Sequence, residues 1–282
     1  HSYGLLSGSF RPEDQICVLR SYVRQRERLT QSASVHIQRM QKALVEMNLQ
    51  LNRVVSDITG VTGMRIIRAI LAEDRDPEHL AALKDPRAKR SIAEIAAALH
   101  GDYRVEHLFV LRQEVHLYDV YREQIQRCDL QIELCQSQFE SRPESNAPLS
   151  PRPKGRKPSR NAPAFDLRAH LYRISGVDFT QIDGLEALSV QTILSEVGLN
   201  PTRFPSVKHF VSWLGLCPGS RISGGKVLSS KTRKVSNRAA TAFRIAAHSL
   251  ANSHTALGAF YRRIRSRLGP PKAMTATAPK LA

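Results

Sequence analysis

Apolar side chains recur at alternating steps of four and three residues over positions 33–58. The positions are Ala33, Ile37, Met40, Leu44, Met47, Leu51, Val54 and Ile58. On an α-helix this spacing places every side chain along one stripe, which is the pattern of a coiled-coil seam. Gly60 follows the stripe, and glycine readily adopts the left-handed conformation that ends many helices. The pattern predicts one long helix that stops at Gly60.

A second apolar seam begins about fifty residues later and has sevenfold spacing. It runs through Leu111, Tyr118, Ile125, Ile132 and Phe139, and Tyr121, Cys128 and Cys135 fill the alternate positions. This seam predicts a second long helix. The two helices could pack on each other or on a partner chain, so we expect a homo-oligomer, either a dimer or a tetramer.

Two shorter segments carry signals for helix starts. Ser91 and Glu94 have the capping-box spacing ahead of the apolar run 92–99. The carboxylates at positions 74, 76 and 78 cluster beside Pro77, and they favour a role in complementing a helix dipole over a role in metal binding.

Residues 141–163 differ in composition from the rest of the chain. They contain six prolines and the basic residues Arg152, Lys154, Arg156, Lys157 and Arg160. Proline lacks a backbone donor and the like charges repel, so this composition predicts an extended linker. It could be a simple spacer or a strap that grips phosphate. The predicted domains are a helical coiled-coil region at 1–140, this linker, and a C-terminal domain at 164–282.

After the linker, a glycine turn at 182–185 leads into an apolar-periodic stretch that Gly198 closes. Such turns present backbone N–H groups and resemble half of a helix-hairpin-helix, a common DNA-binding element. The predicted fold class is therefore mainly α, with long coiled-coil helices followed by a small helical C-terminal domain that begins with a helix-hairpin-helix-like turn.

Charge is distributed very unevenly along the chain. The net charge is +17, and residues 197–282 carry fifteen Lys and Arg and no Asp or Glu. Charge of one sign repels itself unless a polyanion neutralises it, and nucleic-acid phosphate is the usual polyanion. Without carboxylates this segment cannot hold the two metal ions of a nuclease, so any chemistry must use a hydroxyl. A surface that only binds nucleic acid is the alternative.

The remaining composition excludes several classes of protein. The four cysteines and ten histidines show no metal-ligand spacing. No apolar run approaches the roughly 18 residues of a membrane span, and no signal peptide is visible. These features predict a cytoplasmic protein with no membrane partner.

Three motifs follow one another in the basic segment. They are Phe210 to Pro218 (FVSWLGLCP), Ile222 to Lys226 (ISGGK), and Asn237-Arg238 with the helix through Phe243. Together they resemble the C-terminal domain of the IS one-ten family of insertion-sequence transposases, relatives of the Piv DNA invertases. The likeness extends through the two seams and reaches residues 1–11.

This resemblance implies an active site in two parts. A RuvC-type domain would hold four carboxylates and Mg²⁺, and a serine of the C-terminal domain would attack DNA and form a transient phosphoserine link. A structured guide RNA would pair with donor and target DNA. The carboxylates of residues 1–196 lie in helical or linker patterns, so we expect the RuvC-type domain upstream of His1 and no cofactor in this chain.

Carried over by position, the nucleophile is Ser223. Gly224 and Gly225 would let a phosphate approach the backbone. Arg221 and Lys226 could neutralise its oxygens. The residues interpreted as phosphate contacts, or alternatively as solvated basic surface, are Lys231, Arg233, Lys234, Asn237 and Arg238.

Several alternatives stay open at the level of the sequence. Ser223 could be an ordinary turn residue, and Ser220, Ser229 and Ser230 are competing nucleophiles. Pro279 predicts a frayed last helix. The predicted function is a fragment of a DNA transposase that binds DNA and supplies the serine but is inactive alone. The alternatives are a non-catalytic nucleic-acid-binding protein, an inactive transposase remnant, or a scaffold whose charge only aids solubility.

Overall fold

The computed structural model describes residues 11–152, 159–233 and 235–282. Within them the fold is mainly α with two long helices, which confirms the predicted class. The helices are α1 Asp14–Glu46, α2 Leu51–Val54, α3 Val61–Leu71, α4 Pro77–Ala82, α5 Ile92–Ala97, α6 Val105–Ser137, α7 Leu167–Ser175, α8 Ala187–Val197, α9 Val207–Trp213, α10 Arg238–Ser249, α11 Ala256–Leu268 and α12 Pro270–Leu281. Strands β1 Arg221–Ser223 and β2 Lys226–Ser229 form an antiparallel pair.

Contacts divide the chain into two compact units. The helical unit comprises residues 26–127, and the basic unit comprises residues 1–25 with 128–282, of which 1–10, 153–158 and 234 are not described. The long helices α1 and α6 each contribute to both units, so the boundaries fall inside helices. The division at 140 and 163 that the sequence predicts, and the coiled-coil oligomer, remain predictions.

The first apolar seam does not form one continuous helix. Helix α1 ends at Glu46, and the chain turns at Asn48, whose φ is 59°. Asparagine tolerates this left-handed conformation better than most residues. Gly60 is also not a helix stop, because it has φ −73° and is the N-cap of α3. The prediction failed because Met47 and Leu51 are fully buried on both sides of the turn, so the apolar spacing continues where the helix does not.

The core of the helical unit collects apolar side chains from α1, α3, α4, α5 and α6. Its fully buried members include Met40 and Leu44 of α1 and Ile66, Ile67 and Ile70 of α3. Each such side chain contributes about 1.5–3 kcal/mol on burial. The second seam is helical as predicted, since α6 covers it up to Ser137.

Short helices of this unit begin as their sequences predict. Ser91 accepts a hydrogen bond from the Glu94 N–H, and the Glu94 carboxylate accepts one from the Ser91 N–H, which completes the capping box of α5. Asp76 caps α4 by accepting from the Glu78 N–H, with Pro77 as the first helical residue. The carboxylates of Glu94 and Asp76 therefore take part in capping the N-termini of α5 and α4.

The core of the basic unit is built around α10. Its buried face combines Phe243 with the small residues Ala239, Ala240, Ala246 and Ala247, and these alanines let α8 and α12 approach closely. Helix α12 continues through Pro279 to Leu281, so the predicted fraying of the last helix is wrong. A proline in the last turn removes one backbone donor, and burial of the final turn offsets this loss.

The described part of the proline-rich segment is held against α7. Arg168 donates to the Ser150 carbonyl and pairs with Asp178, and both side chains of this ion pair are buried. Tyr172 donates to the Glu144 and Ala147 carbonyls at 3.0 and 3.2 Å. Residues 142–151 are thus docked and not a free spacer. Lys154, Arg156 and Lys157 lie outside the described residues.

Burial and hydrogen bonding act in opposite directions on Asp178. Burial alone would raise the pKa of this carboxyl. Hydrogen bonds from Arg168, Thr180 and Gln181, with the charge of Arg168, hold the pKa well below its usual range. The ion pair is therefore charged at neutral pH and fixes the start of the C-terminal region.

No helix in the described part of the chain is long and apolar enough to cross a membrane.

Candidate nucleic-acid interface

The ISGGK motif forms the tip of a β-hairpin. Strands β1 and β2 pair Ile222 with Val227 and Ser223 with Lys226, which leaves Gly224 and Gly225 as a two-residue turn. Both glycines have positive φ, 53° and 74°. A two-residue hairpin turn of this hand needs positive φ at both central positions, and glycine adopts it without strain. These strands were not predicted from the sequence.

Ser223 lies at this tip, next to the turn, and is exposed. A Cβ atom placed on Gly224 or Gly225 would meet no heavy atom within 4 Å. The glycines are therefore required by the backbone conformation and not by packing. Their small size leaves the face of the tip beside Ser223 open to a bulky group such as a phosphodiester.

The hairpin buries little of its own apolar surface. Ile222, Val227 and Leu228 are 64%, 62% and 69% exposed. A two-stranded hairpin of this kind is only marginally stable by itself. Its base is tied by a bridge between Pro218 and Thr232, where the Gly219 N–H donates to the Lys231 carbonyl at 2.9 Å.

The competing serines lie elsewhere in the same segment. Ser220 and Ser230 are exposed. The Ser229 hydroxyl accepts a hydrogen bond from the Lys231 N–H at 3.4 Å, which gives it a local role in the turn after β2. Of the four candidates, Ser223 is the one placed beside the diglycine turn.

The predicted phosphate contacts divide between the hairpin and the start of α10. Lys226, Lys231 and Arg233 are exposed. Asn237 caps α10 by accepting from the Ala240 N–H at 3.1 Å, and Arg238 is the first helical residue. Lys234 lies outside the described residues, and Arg221 is described through its backbone alone.

An open groove runs along this part of the surface. Its lining is Thr232, Arg233, Val235, Ser236, Asn237, Arg238, Thr241 and Arg244. Three arginines and no carboxylate line it, so the groove has a positive potential. The N-terminus of α10 adds backbone N–H groups that favour anions. Asn237 thus has a definite structural role as a cap, whether or not it also contacts phosphate.

The glycine turn at 182–185 packs against other residues of the basic unit. Gly184 has φ 90°, and a Cβ atom there would lie 2.6 Å from the Ala246 carbonyl oxygen. Ser253 donates a hydrogen bond to Asp183. Packing against α10 therefore accounts for this glycine. Helices α7 and α8 flank the turn and contact each other, while the helix-hairpin-helix assignment remains a prediction.

A second groove joins the N-terminal part of α1 to α10, and it was not predicted from the sequence. It is lined by Arg20, Arg24, Glu196, Trp213, Ser236, Asn237 and Arg238. Arg20 and Arg24 are four positions apart and so share one face of α1, but nothing in the sequence links them to Glu196, 172 positions beyond Arg24. A local pattern cannot reveal such a contact.

The described residues contain no group of three or more His, Cys, Asp or Glu side chains that could hold a metal ion. The donor set present in this part of the chain therefore does not fit Mg²⁺, and none of its residues is assigned a metal-dependent step. What the arrangement offers is an exposed hydroxyl at the tip of a hairpin and an arginine-lined groove at the base of the same hairpin.

Comparison with known protein families gives a match over the C-terminal region. Residues 178–262 match the family described as Transposase IS116/IS110/IS902 family. This range contains Ser223, all of the predicted contact residues, α8 to α10 and the hairpin. No curated protein matches the chain significantly.

Proposed function

We propose that this chain acts in DNA recombination and presents Ser223 as the nucleophile. The premise is the match of residues 178–262 to the IS116/IS110/IS902 transposase family. The domain match supports a DNA transposase or recombinase as the parent activity, and with it DNA binding. The observation that supports the finer proposal is the exposed location of Ser223 at the tip of a hairpin whose base, at Thr232, belongs to an arginine-lined groove.

The proposed step is a transesterification. The Ser223 oxygen attacks a phosphorus atom of the DNA backbone, so an Oγ–P bond forms and one P–O bond to a deoxyribose oxygen breaks. The hydroxyl proton leaves to a base and the released sugar oxygen gains a proton. Attack by a strand-end hydroxyl on the phosphoserine reverses these changes and joins the new strand.

Residues of this chain supply binding and charge neutralisation. Lys226 is paired with Ser223 across the hairpin through the backbone, which supports a role for its side chain beside the proposed nucleophile. Cationic side chains stabilise the charge that develops on the equatorial phosphate oxygens. Gly224 and Gly225 leave room for those oxygens at the tip.

A serine hydroxyl is a weak nucleophile until a base or a metal ion activates it. We propose that a RuvC-type domain, outside the described residues, supplies Mg²⁺ and activation, which makes this chain inactive alone. We also propose a structured guide RNA as a second nucleic-acid partner and assembly into a dimer or tetramer. Family resemblance supports these three proposals.

The test compares two serine variants in a reaction that contains the chain, a RuvC-type domain, Mg²⁺, guide RNA, and donor and target DNA. Ser223→Ala should abolish both strand exchange and the covalent protein–DNA adduct, while DNA binding stays intact. Ser230→Ala removes the same hydroxyl from a nearby exposed position and should recombine normally. Wild-type recombination by Ser223→Ala would overturn the nucleophile assignment.

A second function is a non-catalytic nucleic-acid-binding protein, including an inactive transposase remnant. The absence of carboxylates from residues 197–282 favours it, because that charge serves binding whether or not a serine reacts. Retention of DNA binding with no covalent adduct in the complete wild-type reaction would select this function.

A further inference from the structure

Glu196 is a buried carboxylate held by two arginines of α1. Its side chain lies near the end of α8, and the residue is 8% exposed. Arg24 donates from Nε and Nη2 to the two carboxylate oxygens, both at 2.7 Å. Arg20 lies 3.5 Å from the carboxylate and donates to the Ser195 and Glu196 carbonyls at 2.9 Å. This bidentate geometry holds the Arg24 guanidinium in one plane.

The cluster lines a groove that leads toward the hairpin. Ser236, Asn237 and Arg238 belong both to this groove and to the one that contains Arg233 and Arg244. The two grooves therefore share part of their lining, and the groove that contains Arg233 also includes Thr232 at the base of the hairpin.

Charge along this path is strongly positive. Arg20, Arg24, Arg233, Arg238 and Arg244 line it, and Glu196 is the one carboxylate among the lining residues of the two grooves. The lining thus contains five guanidinium groups and one carboxylate. An ion pair whose role was confined to docking α1 onto α8 would not need the other arginines along the same path. A polyanion complements a lining of this net charge.

Arg24 can serve both the ion pair and a ligand. Its side chain is 43% exposed, although the Glu196 side chain it holds is 9% exposed. An arginine already fixed by a carboxylate loses less conformational entropy when its outer edge meets a phosphate, so it binds more tightly than a mobile one. Glu196 is thus a positioning residue for the arginines.

We propose that the phosphate backbone of a DNA strand lies in this groove, gripped by Arg20, Arg24 and Arg238, and is guided from there to the hairpin that carries Ser223. The proposal rests on the proposed function, because the shared lining links this groove to the base of the hairpin that carries Ser223, and the proposed substrate of Ser223 is DNA. It adds α1 to the DNA-binding surface. A carboxylate is expected to weaken DNA binding by repelling phosphate, whereas Glu196 is proposed to strengthen it by positioning the arginines.

The experiment measures binding of the 282-residue chain to a fluorescent DNA duplex between about 50 and about 200 mM salt, with RNA of the same sequence in parallel. Arg24→Ala should weaken DNA binding several-fold and lower the slope of log affinity against log salt by about 0.9, the value for one neutralised duplex phosphate. Arg68→Ala is the matched control, because it also removes an exposed arginine from an ion pair, with Asp119. The control should bind as wild type.

Two further variants separate positioning from bulk charge. Glu196→Gln raises the net charge by one, so bulk electrostatics predicts tighter DNA binding, whereas loss of the positioning carboxylate predicts weaker binding. Arg24→Lys keeps the charge and loses the bidentate geometry, and it should bind more weakly than wild type. Thermal unfolding tests whether each variant is folded. If Glu196→Gln does not fold, Arg24→Lys alone distinguishes positioning from bulk charge.

The outcomes separate as follows. Weaker DNA binding by Arg24→Ala, Arg24→Lys and Glu196→Gln, with Arg68→Ala unchanged, supports the proposal. Equal binding by Arg24→Ala and Arg68→Ala, tighter binding by Glu196→Gln, or a loss confined to RNA overturns it. If the wild-type chain shows no salt-dependent DNA binding, the proposed function itself fails. If Lys226→Gln weakens DNA binding and Arg24→Ala does not, this inference alone fails.

Discussion

The helical unit and the basic unit both have well-packed apolar cores, but they differ in charge. Residues 26–127 contain sixteen Lys and Arg and fourteen Asp and Glu. The other unit contains twenty-six Lys and Arg and eleven Asp and Glu, so it carries nearly all of the excess positive charge.

Both units have exposed and buried carboxylates, and in the helical unit the Glu114 side chain is buried beside His36. In the helical unit, pairs such as Arg68 with Asp119 lie at the surface and Glu94 serves a helix cap. In the basic unit, the Asp178 side chain is buried with that of Arg168. Surface pairs contribute little to stability, whereas a buried pair becomes costly when one partner is removed.

The comparison shows that charge serves two purposes in one chain. In the helical unit, acids and bases are nearly balanced and many of them pair with each other. In the basic unit, carboxylates such as Asp178 and Glu196 hold structural positions, and cations outnumber carboxylates by more than two to one. A polyanion is the natural complement of that surplus.

The largest expected effect on stability comes from breaking the buried pair. Asp178→Asn should lower the free energy of unfolding by about 3–5 kcal/mol at neutral pH, because it leaves the Arg168 charge buried without a charged partner. The matched change in the helical unit, Asp119→Asn, removes half of an exposed pair and should cost less than about 1 kcal/mol. Urea denaturation followed by circular dichroism measures both, and equal losses would contradict the comparison.

The same variant should reveal a pH dependence. The pKa of Asp178 is lower in the folded chain than its ordinary value of 3.8. Its stabilisation is therefore fully present above the ordinary pKa and is lost as the pH falls through the folded pKa. The stability difference between wild type and Asp178→Asn should be constant from about pH 5 to 8 and should shrink below about pH 4. A difference that grows on acidification would refute the assignment.

The next effect concerns DNA binding by the hairpin. Replacing Lys226, Lys231 and Arg233 together by Gln should reduce the slope of log affinity against log salt by about 0.9 for each duplex phosphate that the variant no longer neutralises. If two or more phosphates are affected, affinity at physiological salt should fall by about tenfold or more. Fluorescence anisotropy with a labelled duplex measures both quantities.

A matched triple variant in the helical unit controls for net charge. Lys42, Arg87 and Arg127 are exposed and each is paired with a carboxylate. Their replacement by Gln removes the same total charge, and DNA affinity should stay close to the wild-type value. A similar loss in both triples would mean that net charge, and not the hairpin surface, sets the affinity.

A smaller effect is expected at the capping box of the helical unit. Ser91→Ala leaves the Glu94 N–H without its side-chain acceptor and should cost about 1 kcal/mol. Ser91→Asp keeps an acceptor at the cap and should retain most of the stability. Thermal unfolding compares the two, and an unchanged midpoint for Ser91→Ala would argue against the cap.

The smallest expected effect is a pair of shifts in melting temperature that have opposite signs in the two units. Arg127→Gln removes a surface ion pair with Glu123 and should slightly lower the melting temperature. Lys231→Gln removes a cation from a segment without acids and should slightly raise it, because self-repulsion decreases. Both shifts should diminish at high salt, where screening weakens surface interactions. Shifts of the same sign at low salt would remove this contrast between the units.

Local sequence signals predicted much of the secondary structure. The capping pair Ser91 and Glu94 and the seam of α6 were recognised because each depends on residues within one or two helical turns. The turn at Asn48 and the role of Gly60 were predicted wrongly, because the buried positions keep helical spacing across a break in the helix.

The candidate site was predictable only in part. Ser223 and its neighbours were identified from motif resemblance, and their assignment stays a prediction. The β-hairpin that exposes Ser223 was not foreseen, since two strands of three and four residues around a diglycine turn give too short an alternation to recognise.

Periodicity and composition, which the chain carries locally, were enough to predict a mainly α fold and to show an excess of cations from Val197 onward. The resemblance to a transposase family came from the sequence motifs of the basic segment, and the family match at residues 178–262 agrees with it. The placement of Arg20 and Arg24 against Glu196, and of α1 beside the groove at α10, arises only in the folded chain. Residues 172 positions apart meet because α1 and α8 bury apolar faces in the same core. No local pattern encodes which faces share a core, so packing decided how the charges are arranged.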